Sequence, residues 1–282
     1  MIEEHIFTPD TGGMILVDKP LDWTSHDAVN KIRGAMRSVV KRRNFKVGHA
    51  GTLDPLASGL LIMAYGPRTK ELPTLTGLEK VYTGTITLGS TTPSYDLETT
   101  PEPGGPWEHL DEAAIHAAFA RFHGEVMQRP PNYSAKRFEG ERAYWMARDS
   151  ERAHLVDMPA VKVTISSLEV KAIRGSDVDF EVHVSKGTYI RSLARDIAQA
   201  AGTVGHVTML RRTKAGRRVL ALRPRNTSIR FYAGESFDVA TRPGRPVQID
   251  GDEFGEAIRM HCRLEAAGLL AALPEGHDTS TL

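Results

Sequence analysis

The chain has 282 residues, 40% hydrophobic and 25% charged, with a formal net charge of +1 and a single cysteine, Cys262. That length supports a substantial core in one large domain or two unequal ones, and the composition is that of a soluble globular protein. No apolar run approaches the roughly 20 residues that span a bilayer, the acidic start "MIEEHIFTPD" lacks the layout of a signal peptide, and one thiol excludes an internal disulfide framework or a cysteine-built metal site, so a reducing cytoplasm is expected.

In chain order, "GMILVDKP" (13–20) predicts a strand ending in a turn. "WTSHDAVNKIRGAM" predicts a helix capped by Thr24 or Ser25, with Val29, Ile32 and Met36 at helical spacing. The stretch from Gly48 to Gly59 combines Gly, Asp-Pro and Ser-Gly, which predicts a loop leading into the buried strand "LLIMAYG". "VYTGTITLG" (81–89) alternates, with Tyr82, Gly84, Ile86 and Leu88 on one face and threonines on the other. Residues 91–110, rich in Pro, Gly and acids, read as an exposed connection. A helix follows with Ile115, Phe119 and Phe122 on one face and Gly124 as its stop, then strands at 161–165 and 178–184. The second strand runs through "SKGT" into a helix marked by Ile190, Leu193, Ala194, Ile197 and Ala201 and ended by Gly202. Strands and helices do not alternate strictly, which predicts an α+β fold with a largely antiparallel sheet. From about residue 219 the chain turns rich in Pro, Arg and Gly, with one helix-leaning stretch, "FGEAIRMHCRLEAAGLLAAL".

Charge is segregated. Residues 28–53 and 197–234 hold no Asp or Glu but many Lys and Arg, the pattern of a face that binds a polyanion or of a solvated helix beside a basic loop. Four side chains are candidates for chemistry. Asp54 lies in a glycine-bracketed loop, where a charge amid small and apolar residues needs a partner or a use, although an Asp-Pro pair by itself most often starts a turn. Arg191 falls in the first turn of its helix, against the dipole, which calls for a carboxylate partner unless the side chain is simply exposed. Tyr82 points inward from its strand, as a core ring or as one that stacks on a base. His49 shares the loop of Asp54, with no second ligand at metal spacing, and there is no GxxxxGK[ST], GxGxxG or GxSxG.

Six collinear blocks carry a family resemblance: "GMILVDKPLDWTSHD", "GHAGTLDPLASGLL", "KVYTGTITLG", "QRPPNYSAKRFEGERAYWMAR", "SKGTYIRSLARDIA" and "GHVTMLRRTKAG". In this order they resemble the motifs of the TruB family, the tRNA pseudouridine(55) synthases, from about residue 13 to 216. The resemblance implies the pseudouridine synthase fold, a mixed and mostly antiparallel sheet with flanking helices and an RNA-binding cleft. It implies that Asp54 is the catalytic aspartate, that His49 takes the place of the extruded uridine, that Tyr82 stacks on the flipped base, that Arg191 pairs with the aspartate, and that Leu210 contacts the base. Lys19 and Pro20 match a motif supporting the site's floor, and 130–153 matches a segment that clamps RNA. Arg42, Arg43, Arg137, Arg142, Lys186, Arg211 and Arg212 are the expected contacts to the RNA backbone. The implied substrate is the T-arm stem-loop of tRNA, with no cofactor, no metal, no membrane, no protein partner and a monomeric state.

The chain departs from the family pattern at Lys136–Arg137, where an apolar residue and Lys are usual, and at Val184, where many relatives have Cys. Residues 1–230 are expected to form the catalytic domain and 231–282 a short appendage, a truncated or divergent version of the RNA-binding PUA unit. Two other readings share these residues: a tRNA-folding factor that flips bases without isomerising them, and a relative that modifies another RNA under a guide RNA.

Overall fold

The apolar runs become strands and the 3.6-residue patterns become helices, in an order close to that read from the sequence. The structure, a computed structural model, describes residues 12–40, 43–133, 137–138, 141–142, 158–216, 218–219, 228–231 and 247–250. Along the chain come β1 (Gly13–Lys19), α1 (Ser25–Val40), β2 (Val47–His49), β3 (Ala57–Tyr65), a 3-10 turn (Gly66–Glu71), α2 (Leu72–Thr76), β4 (Lys80–Leu88), β5 (Ser90–Thr91) and β6 (Glu102–Pro103). They are followed by α3 (Glu112–Ala120), β7 (Gly124–Gln128), β8 (Arg137–Phe138), β9 (Glu141–Arg142), β10 (Val161–Arg174), β11 (Asp177–Val184), α4 (Ile190–Ala200), β12 (Gly205–Ala215), β13 (Arg218–Val219), β14 (Ser228–Phe231) and β15 (Val247–Asp250). This is an α+β fold whose paired strands run mostly antiparallel. Among the described residues, no helix is long and apolar enough to cross a membrane.

The chain forms two compact units, one from Met1–Leu78 with Arg211–Leu282, the other from Glu79–Leu210. In the first unit β1 pairs antiparallel with β3, from Gly13 opposite Tyr65 to Lys19 opposite Gly59. Leu60, Leu61, Ile62, Met63 and Ala64 of β3 are all buried, so this strand is covered on both faces, and each large side chain among them contributes about 2 kcal/mol through burial. One face packs Leu16, Ala50, Leu60, Ile62, Leu75 and Ala215 together. Helix α1 turns Ala28, Val29, Ile32, Ala35 and Met36 inward. Its cap is Thr24: the Thr24 hydroxyl accepts from the Asp27 N–H at 3.0 Å, while the Asp27 carboxylate accepts from the Thr24 N–H at 2.9 Å. Ser25 is thereby left for other work. Past residue 216, β14 and β15 pair antiparallel; the helix-leaning stretch and Cys262 lie outside the described residues.

The second unit is built on β4, which pairs antiparallel with β11 from Lys80 opposite Val184 to Thr87 opposite Asp177. β11 pairs with β10, and β10 with β7. The polar side of β4 is satisfied across this ladder, with Thr85 donating to Asp179 and Thr87 to Asp177. The Asp111 side chain caps α3 by accepting from the Ala114 N–H, and Ile115 and Phe119 are buried as their spacing requires.

Two expectations need correction. The loop between Gly48 and Gly59 is shorter than read, because β2 reaches His49 and β3 starts at Ala57. Both glycines sit in strands. Gly59 has φ of +104°, and a Cβ there would lie 2.2 Å from the Arg212 carbonyl oxygen, so the position demands glycine to let β12 come close. The connection at 91–110 is not wholly exposed either: Thr92, Ser94 and Asp96 are buried. Its acids read as solvated only because the cation that receives one of them is far along the chain. Replacing Gly59 by Ala is expected to destabilise the protein by about 3 kcal/mol, through backbone strain and displacement of β12, which urea unfolding would measure.

Candidate active site

In the first unit, the loop carrying Asp54 is held at every carbonyl from Gly51 to Pro55. Arg212 donates from Nη2 to the Gly51 oxygen at 3.1 Å and from Nη1 to the Thr52 oxygen at 3.4 Å. The Ser25 hydroxyl donates to the Leu53 oxygen at 3.0 Å and accepts from the Leu53 N–H at 2.8 Å. The Asp54 oxygen accepts from the Ala57 N–H at 3.0 Å, closing the Asp-Pro turn that the sequence suggested. The Pro55 oxygen accepts from the Asp22 N–H at 3.0 Å and from Lys19 Nζ at 3.3 Å. The turn and the functional candidate are therefore the same object.

Lys19 is fully buried and also donates to the carbonyls of Pro20 at 2.8 Å and Trp23 at 2.6 Å. Burial pushes its ammonium down from the ordinary 10.5 to about 8; the nearby Asp54 carboxylate is the strongest influence in the other direction. His49 is held below the ordinary histidine range by burial first and by the Arg212 charge second, so its ring is neutral near pH 7. Its Nδ1 is buried and has no hydrogen-bond partner among the described residues.

Arg212 was expected to contact RNA phosphates, and the structure corrects this. Its side chain is only 1% exposed, its Nε donates to the Leu60 oxygen at 2.6 Å, and its other nitrogens hold the Asp54 loop. A guanidinium enclosed this way is not presented at the surface among the described residues. Its neighbour Arg211 points the other way along the alternation of β12 and donates to Asp18 at 2.7 Å and to Ser58 at 3.3 Å. Arg43 and Lys186 are exposed. Arg42 lies outside the described residues, as do the side chains of Arg137 and Arg142 and most of the segment 130–153.

In the second unit Arg191 is buried and meets the carboxylate that its place in the helix requires, that of Asp96, Nε to Oδ2 at 3.5 Å. It also donates to the Ser94 oxygen at 3.0 Å and the Tyr133 oxygen at 2.9 Å. Tyr95, between Ser94 and Asp96, has φ of +60°, unusual for so large a residue, and this reversal lets both of its neighbours serve one guanidinium. The Tyr95 ring lies 5.0 Å from the Arg195 guanidinium. The start of α4 is pinned by Gln128, whose side chain both accepts from the Tyr189 N–H and donates to the Tyr189 oxygen. Tyr82 and Leu210 are buried, and Tyr82 stands opposite Val182 on β11. Among the described residues no group of His, Cys, Asp and Glu is placed to hold a metal ion.

Residues 37–190 match the N-terminal domain of the TruB family of pseudouridylate synthases. A tRNA pseudouridine synthase B of Flavobacterium johnsoniae is 47% identical over 206 residues, which cover 73% of this chain and 89% of the relative. The chain belongs to the TruB family. A second TruB relative, the tRNA pseudouridine synthase B of Corynebacterium efficiens, is 40% identical over 276 residues, covering 94% of this chain and 90% of that one. Among solved structures, a chain of the crystallised Cbf5–Nop10–Gar1 complex superposes with a TM-score of 0.54 at 31% identity over 73% of this chain; the match spans 49%, about half, of that protein.

The TruB block "GHAGTLDPLASG" thus holds the loop whose carbonyls from Gly51 to Pro55 are all engaged, but three of the residues that engage them or serve Arg191 escaped the sequence reading. Ser25 had a signal, two adjacent residues able to cap one helix. Asp96 and the inward course of Arg212 had none. Replacing Ser25 by Ala is expected to cost about 3 kcal/mol, because the N–H and C=O of Leu53 both lose a buried partner, as chemical denaturation would read. Lys19 supplies a pH test. Between about pH 8 and 10.5 the unfolded chain keeps a proton that the folded chain has released. Rising pH therefore favours folding there. The stability of the wild type relative to Lys19→Met is expected to climb across that window in denaturant melts at stepped pH.

Proposed function

We propose that this chain isomerises a uridine of tRNA to pseudouridine, at position 55 in the T-arm loop, and that Asp54 is the carboxylate on which the reaction depends. Membership of the TruB family and relatives that are tRNA pseudouridine synthases support the reaction and the substrate. The observation that carries the assignment of Asp54 is the engagement of all five carbonyls from Gly51 to Pro55, which fixes the backbone under one acidic side chain. A carboxylate on a fixed backbone needs no reorganisation when it acts.

The chemistry balances without a cofactor. The bond from N1 to C1′ breaks, the bond from C5 to C1′ forms, and the proton lost at C5 is matched by one gained at N1. The base must leave its stack to be reached. In this reading Tyr82 stacks on the flipped base with Leu210 against it, and the neutral ring of His49 fills the place of the extruded uridine without burying a charge. Arg191, buried and held by Asp96, is a fixed cation of the second unit. Arg43 and Lys186 meet phosphates and make the affinity salt-dependent. Residues 1–230 act as the catalytic domain with 130–153 closing on RNA, 231–282 as an appendage, and the protein works as a cytoplasmic monomer.

Asp54→Asn is expected to lower pseudouridine formation at least about a thousandfold while tRNA affinity stays within a few fold. The assay maps pseudouridine in a T-arm stem-loop incubated with purified protein and nothing else. Product at the wild-type rate from the variant would overturn the role of Asp54, and no product from the wild type would overturn the reaction.

A further inference from the structure

We propose that Arg212 is a positioning residue for Asp54: it fixes the loop from behind and never touches RNA. The inference rests on the function proposed above for Asp54. Gly51, at φ of +97°, is the point where this loop has the most freedom, since glycine imposes little on its own backbone. Arg212 binds the oxygen of Gly51 and that of Thr52, so it clamps the two peptide groups that would otherwise let the following residues swing. Asp54 lies two residues further on.

The choice of arginine follows from the acceptors. Three carbonyls, those of Gly51, Thr52 and Leu60, face one side chain, and a guanidinium offers donors to all of them in a rigid fork. Lysine carries the charge on one rotating nitrogen and cannot reproduce the fork. Gly59 completes the device, because its missing Cβ is what allows the Arg212 backbone to sit against β3. Asp54 and Arg212 are thereby coupled through the Gly51 and Thr52 peptides that the Arg212 side chain holds.

The test uses the full chain as wild type, Arg212→Met and Arg212→Lys, each first checked for a cooperative thermal transition. Three quantities are read: tRNA affinity, the single-turnover rate of pseudouridine formation at saturating enzyme, and amide hydrogen exchange over residues 51–54. Arg212→Met is expected to be slowed about a hundredfold, the effect of a misplaced reacting group, with affinity within about threefold and faster exchange in the loop. Arg212→Lys should fall between, and millimolar guanidinium should recover part of the rate of Arg212→Met but not that of Asp54→Asn. A weakened affinity with an unchanged saturated rate would overturn the proposal in favour of an RNA contact. Unchanged exchange over 51–54 would overturn it too, and this readout does not depend on activity, so it remains decisive should the proposed reaction itself fail. If Arg212→Met lacks a cooperative transition, Arg212→Lys decides on the same three readings.

Discussion

Two buried cations grip the loop of Asp54 by its carbonyl oxygens, Arg212 on the residues before the aspartate and Lys19 on the residue after it. A loop between two strands has no ladder to satisfy its backbone, and an inward carbonyl without a donor costs about 1–3 kcal/mol. Ser25 and the Asp-Pro turn take the carbonyls between. The arrangement is costly in another currency, since enclosing two positive charges in the interior is unfavourable unless dipoles surround them. Here converging carbonyls supply those dipoles, and the depressed ammonium of Lys19 shows how incomplete the compensation is. The positive charge that remains belongs to the same unit as Asp54, and that of Arg212 adds to burial in holding His49 below the ordinary histidine range.

The second unit solves the matching problem for a guanidinium. Arg191 stands at the wrong end of its helix for a cation, and burial removes the help of water. An Asp96 carboxylate, two main-chain oxygens and a helix start pinned by Gln128 answer both difficulties. Pairing of this kind adds little net stability but strongly penalises the loss of either partner. Its value lies in fixing where the guanidinium stands.

What the sequence revealed and what it hid divide along the range of the interactions. β1, α1, β4, β11 and α4 were legible because periodicity and capping are written within a dozen residues. The need of Arg191 for an acid was legible from the dipole, but Asp96 as a partner was not, since it lies almost a hundred positions earlier in a stretch that looks like a solvated linker. Arg211 and Arg212 look alike in a basic run, and only the alternation of β12 separates an arginine tied to Asp18 from one enclosed behind the loop. The sequence allows Thr24 or Ser25 as the cap because either chemistry suffices; the choice is made by Leu53, which needs Ser25.

Gly59 stands opposite Lys19 in the pairing of β1 with β3, and on its other side it abuts the backbone of Arg212. The two cations therefore occupy one row across three neighbouring strands, with the glycine between them. The spacing of their backbones is set by the sheet, about 10 Å from the first strand to the third, and each side chain reaches the loop from that fixed base. The sheet acts as a gauge block for the loop above it: as long as that row keeps its register, the span between the two grips, and with it the height at which the aspartate is presented, is reproduced in every folded molecule.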